Sequence, residues 1–525
     1  MVAAVSLVVP VSSAATVAAQ TPAACPPGFT LVSPPAIADE VRMRDVEVFA
    51  DGSAIATGVA QRPSRLVSAH LVGGAWTWQV TTIASAEASM DATAPDDAWA
   101  LIDGGLAHWD GQDWQLVDGP PLPSLGASDQ LDLVDISAVG NHVWVVGWVS
   151  RFIEPGRTRT HPYAARLAAG TWTRYPVPDP RGDRTEVSAI SGASTDDVWL
   201  VGLSQDGRTF HKLTAHWDGA SWTKVQAPER GEDGTLQALI AIDAASPWPM
   251  AVGYGRSAAV RWDGGWRGAA LGMLDVSAGP SDVTVAGRAD AWFSGDGYPH
   301  VGHWDGLRWT GMSLPKIAGR RPTVRSFAIG ARPGGGETWI VGEYTLGTIR
   351  PLFVRMCPWE VPDTGPVSRI EVIRSDAPSM LWRFPASRTD VTRLSDRSPL
   401  DLFATDTGEP GSTFAFEYPG LGRFPYQDAR SGKRGVVVVA PRLWVRQSGD
   451  IHVDLGVAAF STPYRCEYEL RDPNLQVLRE TTFCWDKELS PTAGSGSYSL
   501  RGRVIDTRTG AASDWSPWRS VIVPT

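Results

Sequence analysis

The sequence predicts an all-β chain: a seven-bladed β-propeller closed by an N-terminal strand, with two β-sandwich domains at its C-terminal end. Three observations predict it. A word of the form His-Trp-Asp-Gly, with a second Trp three residues on, occurs at His108–Trp114, His216–Trp222 and His303–Trp309. A shortened copy sits at Arg261–Trp266, and worn copies at Ala69–Trp76, Ala165–Trp172 and Val354–Met356. The equivalent positions 71, 109, 167, 217, 262, 304 and 354 are 38 to 58 residues apart. A second, β-branched and aromatic word precedes them, as at Asp97–Ala100, His142–Gly147, Asp197–Gly202 and Thr338–Gly342. Looser versions read at Trp248–Gly253 and Val283–Gly287. A third leads in, as Ile136-Ser137-Ala138 and Ile190-Ser191-Gly192. Each unit therefore reads strand, turn, strand, variable loop, strand, Asp-Gly hairpin, strand. Four short strands in roughly 40 to 50 residues make one propeller blade.

Composition sets the class. The 525 residues, 43% hydrophobic and 20% charged, describe an ordinary globular chain. A formal charge of −10 argues against a nucleic-acid groove or an acidic membrane surface as partner. The 54 Gly, 40 Pro and 24 Trp point to many turns between short aromatic strands.

Taken in order, residues 1–19 are small and apolar and end in Val17-Ala18-Ala19, like a secretory signal and its cleavage site, but no Lys or Arg precedes the apolar run. An uncleaved anchor stays open as the other reading. No other run is long enough to span a membrane. The four cysteines suit an oxidising compartment: Cys25 and Cys357 flank the repeats, and Cys466 and Cys484 lie close together near the end. Cys25 as a lipid-anchor cysteine fits its Pro22-Ala23-Ala24 context poorly. The expected location is outside a bacterial cell, secreted or on its surface.

Residues 25–360 are the propeller. Asp-Gly after an aromatic strand supplies the positive φ of a tight hairpin, and the flanking Trp pair suits packing between blades. The segment Cys25–Pro34 reads like the outer strand that follows each hairpin, which the last unit lacks. It is expected to complete that blade, locked by a Cys25–Cys357 disulfide.

The Trp-Asp-Gly units resemble those of exported bacterial β-propellers related in style to Kelch and sialidase-type proteins. That likeness implies the fold and little about activity, since propellers host enzymes, binders and scaffolds. A sialidase-like site needs an arginine cluster, a Tyr and carboxylates at the axial mouth, and no such set is legible. Four of the nine His (His70, His108, His216, His303) share one register, which implies a structural role in each blade. His142, His161, His211 and His300 are irregular. No phosphate loop, nucleophile elbow or zinc-protease word occurs, so no catalytic residue and no cofactor are assigned. Two long loops stand out as binding candidates: Ser150–Pro162, with Arg151, Arg157 and Arg159, and Pro178–Thr185, with the adhesion-like tripeptide Arg181-Gly182-Asp183.

After the linker Val361–Pro366, residues 365–440 carry Gly411–Tyr418, Gly420–Tyr426 and Gly435–Val439, with Leu402–Gly408 ahead of them. These resemble the C-terminal half of a plastocyanin-type cupredoxin. That family's ligand pattern falls on Thr389, Gln427, Arg430 and Lys433, four residue types that do not hold copper. The resemblance implies a cupredoxin-like sandwich with no metal site.

Residues 441–525 alternate in strand fashion at Ile451–Leu455, Tyr464–Leu470, Tyr498–Val504 and Ser520–Val523. Tyr498–Asp506 with Trp515-Ser516-Pro517-Trp518 resembles the last strands of an immunoglobulin-like or fibronectin type III module. A Cys466–Cys484 disulfide and a ladder of Trp515 and Trp518 with Arg501 and Arg503 are expected there.

The function these features favour is a non-enzymatic extracellular binding protein whose propeller face recognises a glycan or a protein. The alternative is a polysaccharide-active glycoside hydrolase or lyase with its site at the propeller mouth, marked by two carboxylates and several Arg.

Overall fold

The computed structural model describes residues 25–524, apart from 26, 38–39, 104, 121–128, 155–156, 180–183, 208, 229–237, 245–246, 255–258, 270–278, 296–299, 316, 318–322, 346, 362–369, 376–377, 386–393, 406–409, 430 and 458–461. The signal-like segment, Arg181-Gly182-Asp183, Thr389 and Arg430 lie outside the described residues. So does most of the linker.

Each repeat folds into an antiparallel run of four strands, giving a propeller-type all-β fold. Unit 1 comprises Val41–Val48, Ala54–Gln61, Ser64–Val72 and Ala75–Val80; unit 2 comprises Ser89–Ala94, Asp97–Ile102, Gly105–Trp109 and Trp114–Val117. Units 3 and 4 start with Gln130–Val139 and Arg184–Ser194, and one parallel pair, Thr160 with Arg184, joins them into an eight-stranded sheet. Units 5 and 6 start with Leu239–Asp243 and Pro280–Gly287. Unit 7 has Thr323–Ala331, Thr338–Thr345 and Ile349–Cys357, and its fourth strand is Gly28–Leu31 from the other end of the chain. There Gly28 pairs with Cys357 and Leu31 with Val354. Cys25 and Cys357 are disulfide-bonded across that join. The first strands of successive units lie side by side, and that of unit 7 lies beside that of unit 1.

Trp residues fill the spaces between sheets, as their size dictates. Trp144, Trp217, Trp292 and Trp339 are all under 3% exposed. Trp76 of unit 1 meets Trp339 of unit 7 edge-on at 5.1 Å, and Trp199 of unit 4 meets Trp266 of unit 5 at 5.2 Å.

Two readings of the sequence need correction. The second word of unit 6 is Asp290–Phe293, in the strand Asp290–Gly295; Val283–Gly287 belongs to the first strand of that unit. The motif lacks the Val-Gly ending that marks its relatives, which hid it. Ser150–Pro162 is not a loop. His142–Glu154 and Arg157–Ala168 run on as one long hairpin, with Arg151 opposite Arg159.

The C-terminal part holds four small sheets. One is Trp359–Glu360, Ser379–Arg383 and Thr413–Glu417; the second is Ile370–Arg374, Leu394–Asp396, Gly422–Asp428 and Arg434–Ala440. The third is Arg442–Val445, Ile451–Asp454 and Asp486–Leu489; the fourth is Tyr464–Arg471, Val477–Thr482, Gly496–Asp506 and Arg519–Val523. A single apolar core runs through all of them, from Trp382 and Tyr418 to Tyr468 and Tyr498. Cys466 and Cys484 form a second disulfide in that core. Gly420 lies hard against it: a Cβ there would run into both sulfurs.

This part is docked on the repeats. Leu381 and Ala415 share a core with Trp292, Met312 and Val354 of units 6 and 7. The Ser313 amide donates to Glu417 Oε1 at 2.7 Å, and buried His303 Nε2 lies 2.7 Å from Thr413 Oγ1.

Candidate functional site

Alternation of strand direction gives the repeats two ends. The upper end holds the starts of the first strands and the hairpins between second and third strands; the lower end holds the Asp-Gly hairpins. Chemistry is distributed unevenly between them.

The lower end uses its polar residues structurally. Asp218 Oδ1 accepts the amides of Ala220 and Ser221 at 3.0 and 2.8 Å, and Asp110 and Asp305 do the same in their own hairpins. The Ser221 and Ala220 amides hold the Asp218 carboxyl below its ordinary value. The register histidines sit between an acid and a Trp. His108 lies 2.8 Å from Asp97 and 4.2 Å from the Trp99 ring; His216 lies 2.8 Å from Asp197 and 4.4 Å from Trp199. Unit 6 repeats this with His303, Asp290 and Trp292. In units 4 and 6 the Trp Nε1 donates to the same carboxylate. Unit 7 substitutes Arg355, Glu337 and Trp339. His70 lacks the acid, and burial pulls it down to about 4. Replacing Asp197 with Ala should cost about 1–2 kcal/mol by orphaning both donors, read as a lower midpoint in urea.

A second set escaped sequence reading. Asp45, Glu47, Asp91, Asp135, Asp243 and Asp282 stand on the first strands, around the axis. Apart from Arg184–Ser194, which meets unit 3 at the single Thr160–Arg184 pair, each first strand is a sheet edge, so its outward amides need acceptors. The preceding unit supplies them. Asp45 Oδ2 accepts Met90 N at 2.9 Å, Asp91 accepts Ala138 N at 2.8 Å, and Asp135 accepts Ile190 N at 2.8 Å. Ser191 accepts Ala244 N at 2.9 Å, Asp243 accepts Val285 N at 2.6 Å, and Asp282 accepts Ile329 N at 2.9 Å. Units 7 and 1 are linked differently, by Arg332 donating to Ala50 O and by the Arg42–Glu343 ion pair at 3.0 Å. The signal was present: Asp91, Ser137, Ser191 and Thr284 each pair directly with the Trp of the second word.

Crowding half-buried acids around the axis has a cost. Desolvation, against the pull of the Ala138 amide, raises Asp91 to about 7; Asp282 rises likewise to about 7 and Asp135 to about 6. Asp45 and Glu47 are pushed up by burial and by neighbouring carboxylates.

The upper end is hollow. A cavity of about 220 Å³ on the axis is lined by Asp45, Asp135, Asp282, Arg44 and Phe327, with Arg44 stacked on Phe327 at 4.6 Å. Between units 2 and 3 it continues into a cleft of about 730 Å³, the two sharing Glu87, Ser89 and Val134. Another cleft, of about 520 Å³, lies between units 7 and 1 beside Tyr344, Arg350 and Pro34. The long hairpin of unit 3 projects past this end, with Phe152 and Ile153 about half exposed near its tip. Arg151 is paired there with Asp129 at 3.2 Å. His161 holds Asp179 at 2.7 Å, His211 sits in the unit 4 hairpin opposite Ser204, and His142 and His300 reach none of the upper cavities.

Of the degenerate copper positions, Gln427 and Lys433 fall among the described residues. Gln427 Nε2 donates to Gly432 O at 3.1 Å and Lys433 sits in the same hairpin. Among the described residues there is one other donor set, His452, Asp454 and Asp486 on paired strands. It does not fit a metal ion as arranged. Arg446 donates to His452 Nδ1 at 2.8 Å, so the neutral ring carries its proton on Nε2, the nitrogen a metal would need. The Arg–Trp ladder is present: Arg501 lies 4.8 Å from Trp515 and 4.7 Å from Trp518, and Arg503 lies 4.8 Å from Trp515. Glu469 and Glu467 bind the same guanidiniums from behind.

No family model matches the chain, and no curated protein matches it. Several solved structures do. YCF48 bound to a D1 peptide is 16% identical, with a TM-score of 0.40 over 65% of this chain and 100% of that one. A catalytically inactive virginiamycin B lyase from Staphylococcus aureus is 12% identical, with a TM-score of 0.44 over 62% and 99%. The extracellular domain of a hybrid two-component system from B. thetaiotaomicron is 10% identical, with a TM-score of 0.43 over 95% and 57%. The likeness is one of fold. At these identities it assigns no residue and no activity.

Proposed function

We propose that residues 25–360 form a seven-bladed propeller, shut by its N-terminal strand and the Cys25–Cys357 disulfide, that serves as an exported, non-enzymatic binding protein. Residues 365–440 and 441–525 are then two sandwich modules, one cupredoxin-like without copper and one fibronectin type III-like, sharing a core and acting as a foot. Two disulfides and a secretory-type N-terminus support an oxidising, extracellular location. Among the described residues no helix is long and apolar enough to cross a membrane.

The observation that carries the binding reading is the asymmetry of the two ends. The foot docks on the rim of units 6 and 7, where Arg383 bonds Gly334 and Thr413 reaches Ala289 at the lower turns. The upper end keeps its clefts and its long hairpin clear of it. The His–Asp pairs that a general-base mechanism would use are stacked under Trp rings at the lower end.

The hydrolase reading keeps one specific support: carboxyls near 7, such as Asp91 and Asp282, hold the proton a general acid donates. Both also accept backbone amides of the next unit, which favours a structural use. Screening the mature protein on glycan and peptide arrays, with product analysis of every hit, separates the readings. Binding without turnover is expected, and it should vanish when residues 151–158 are replaced by an Asn-Gly turn. Turnover of a bound glycan overturns the binding reading.

A further inference from the structure

We propose that the cleft between units 2 and 3 receives an extended basic peptide, which adds a strand to the free edge of Gln130–Val139 and seats Lys or Arg side chains on its acids. The proposal rests on the upper end being the binding face and names the class of ligand it takes.

Backbone, walls and charge agree on this occupant. Among the described residues Gln130–Val139 ends its sheet: residues 130–133 pair with Ser150–Gly147 on one side and with no described strand on the other. Those residues stand at the upper end and form one wall of the cleft. A strand edge facing a cleft is the arrangement that strand addition uses, main-chain bonds giving affinity and alternate side chains giving selection. The walls fit a peptide's apolar side chains, since Leu101, Ile102, Leu131, Leu133 and Pro120 line them.

The charge is one-signed. Glu87, Asp103 and Asp132 line the cleft, and among the described residues no Lys or Arg does; the one cation nearby, Arg44, lies in the adjoining axial cavity, stacked on Phe327. Asp132 accepts Gln130 Nε2 at 2.7 Å and Asp103 accepts Ala86 N at 2.8 Å, which fixes both carboxylates without neutralising either. A glycan is the poorer fit. Sugars dock on aromatic faces, and among the described residues no aromatic lines this cleft. The Trp residues of the hairpin words, such as Trp109, Trp217 and Trp304, are buried in the packing of the sheets.

The test uses the full mature chain and a fluorescein-labelled peptide, acetyl-(Leu-Lys)4-amide, followed by anisotropy. A (Leu-Glu)4 peptide, spermine, and an (Leu-Lys)4 peptide N-methylated at alternate residues serve as comparisons. The Leu-Lys peptide is expected to bind, with affinity falling about tenfold or more between low and high salt. Spermine and the N-methylated peptide should bind at least tenfold more weakly. The variant Glu87→Gln/Asp103→Asn/Asp132→Asn should lose at least tenfold, while Asp263→Asn, in the lower hairpin of unit 5, should not. Equal binding of spermine, or indifference to N-methylation, overturns strand addition. Indifference to the triple variant overturns the site. A glycan hit that persists while the Leu-Lys peptide fails overturns the peptide and leaves the binding face standing.

Discussion

Replacing Cys25 and Cys357 together by Ser should lower the melting temperature of the repeat region by on the order of 10 °C, the largest single effect expected for this protein. The bridge spans 332 residues of chain. In the loop-entropy model a closure that long contributes about 6 kcal/mol at most. A few degrees per kcal/mol is usual for chains of this size. The non-covalent part of the join is short: Gly28–Leu31, a four-residue strand, pairs with Val354–Cys357, and Val32 N reaches Phe353 O at 2.9 Å. Without the bridge that strand should fray, leaving Ile349–Cys357 as an open sheet edge prone to pairing with other chains. Calorimetry, with proteolysis around Pro34 as a second reading, checks both effects. An unchanged midpoint would mean that packing between units 7 and 1 closes the structure by itself. Opening Cys466–Cys484 should act differently, since its short loop contributes about 3 kcal/mol and its sulfurs fill the space over Gly420.

The parts of this structure that were legible in the sequence are those that repeat. Trp109, Trp217 and Trp304 recur beside an Asp-Gly turn because each hairpin needs the positive φ and each gap between sheets needs a large ring. Seven copies average out local noise, and His108, His216 and His303 announce their structural role by sharing a register. The axial carboxylates were harder to see. Asp45, Asp91, Asp135, Asp243 and Asp282 occupy two registers, and Ser191 fills the same role with a hydroxyl, so no single word emerges. What they share is an amide to satisfy on the next unit, a property of the folded repeats. The clefts were invisible for the same reason: Leu101 and Leu131 come from different units, and only the fold brings them together.

The second large effect is a stability that rises on acidification from pH 8 to pH 5. Asp91 and Asp282 stand at about 7 and Asp135 at about 6 when folded, because burial penalises their charge. In the unfolded chain the same groups return to roughly 4. Folding therefore takes up protons in this window, and the linkage relation sets the sign. The contribution is fully present below about pH 4 and is lost as pH rises through 6 to 7. Carboxylates with the opposite shift set the acid limit. Asp110 and Asp218, held low by the amides of their own hairpins, favour folding only above roughly pH 4 and lose that contribution as they protonate. A stability maximum near pH 5 follows, several degrees above the midpoint at pH 8, measurable by thermal melts in buffers of matched ionic strength. Glu47 isolates the cause. Burial and the charges of Asp91, Asp45, Asp243 and Asp282 push it up. Glu47→Gln removes one charge from the axis while keeping the side chain's shape. It should raise the midpoint at pH 8, do little at pH 5, and so flatten the profile. Asp282→Ala should lower the midpoint at both pH values, because Ile329 N loses its acceptor whichever charge state prevailed. A Glu47→Gln profile parallel to that of the wild-type protein would move the origin of the pH dependence away from the axis.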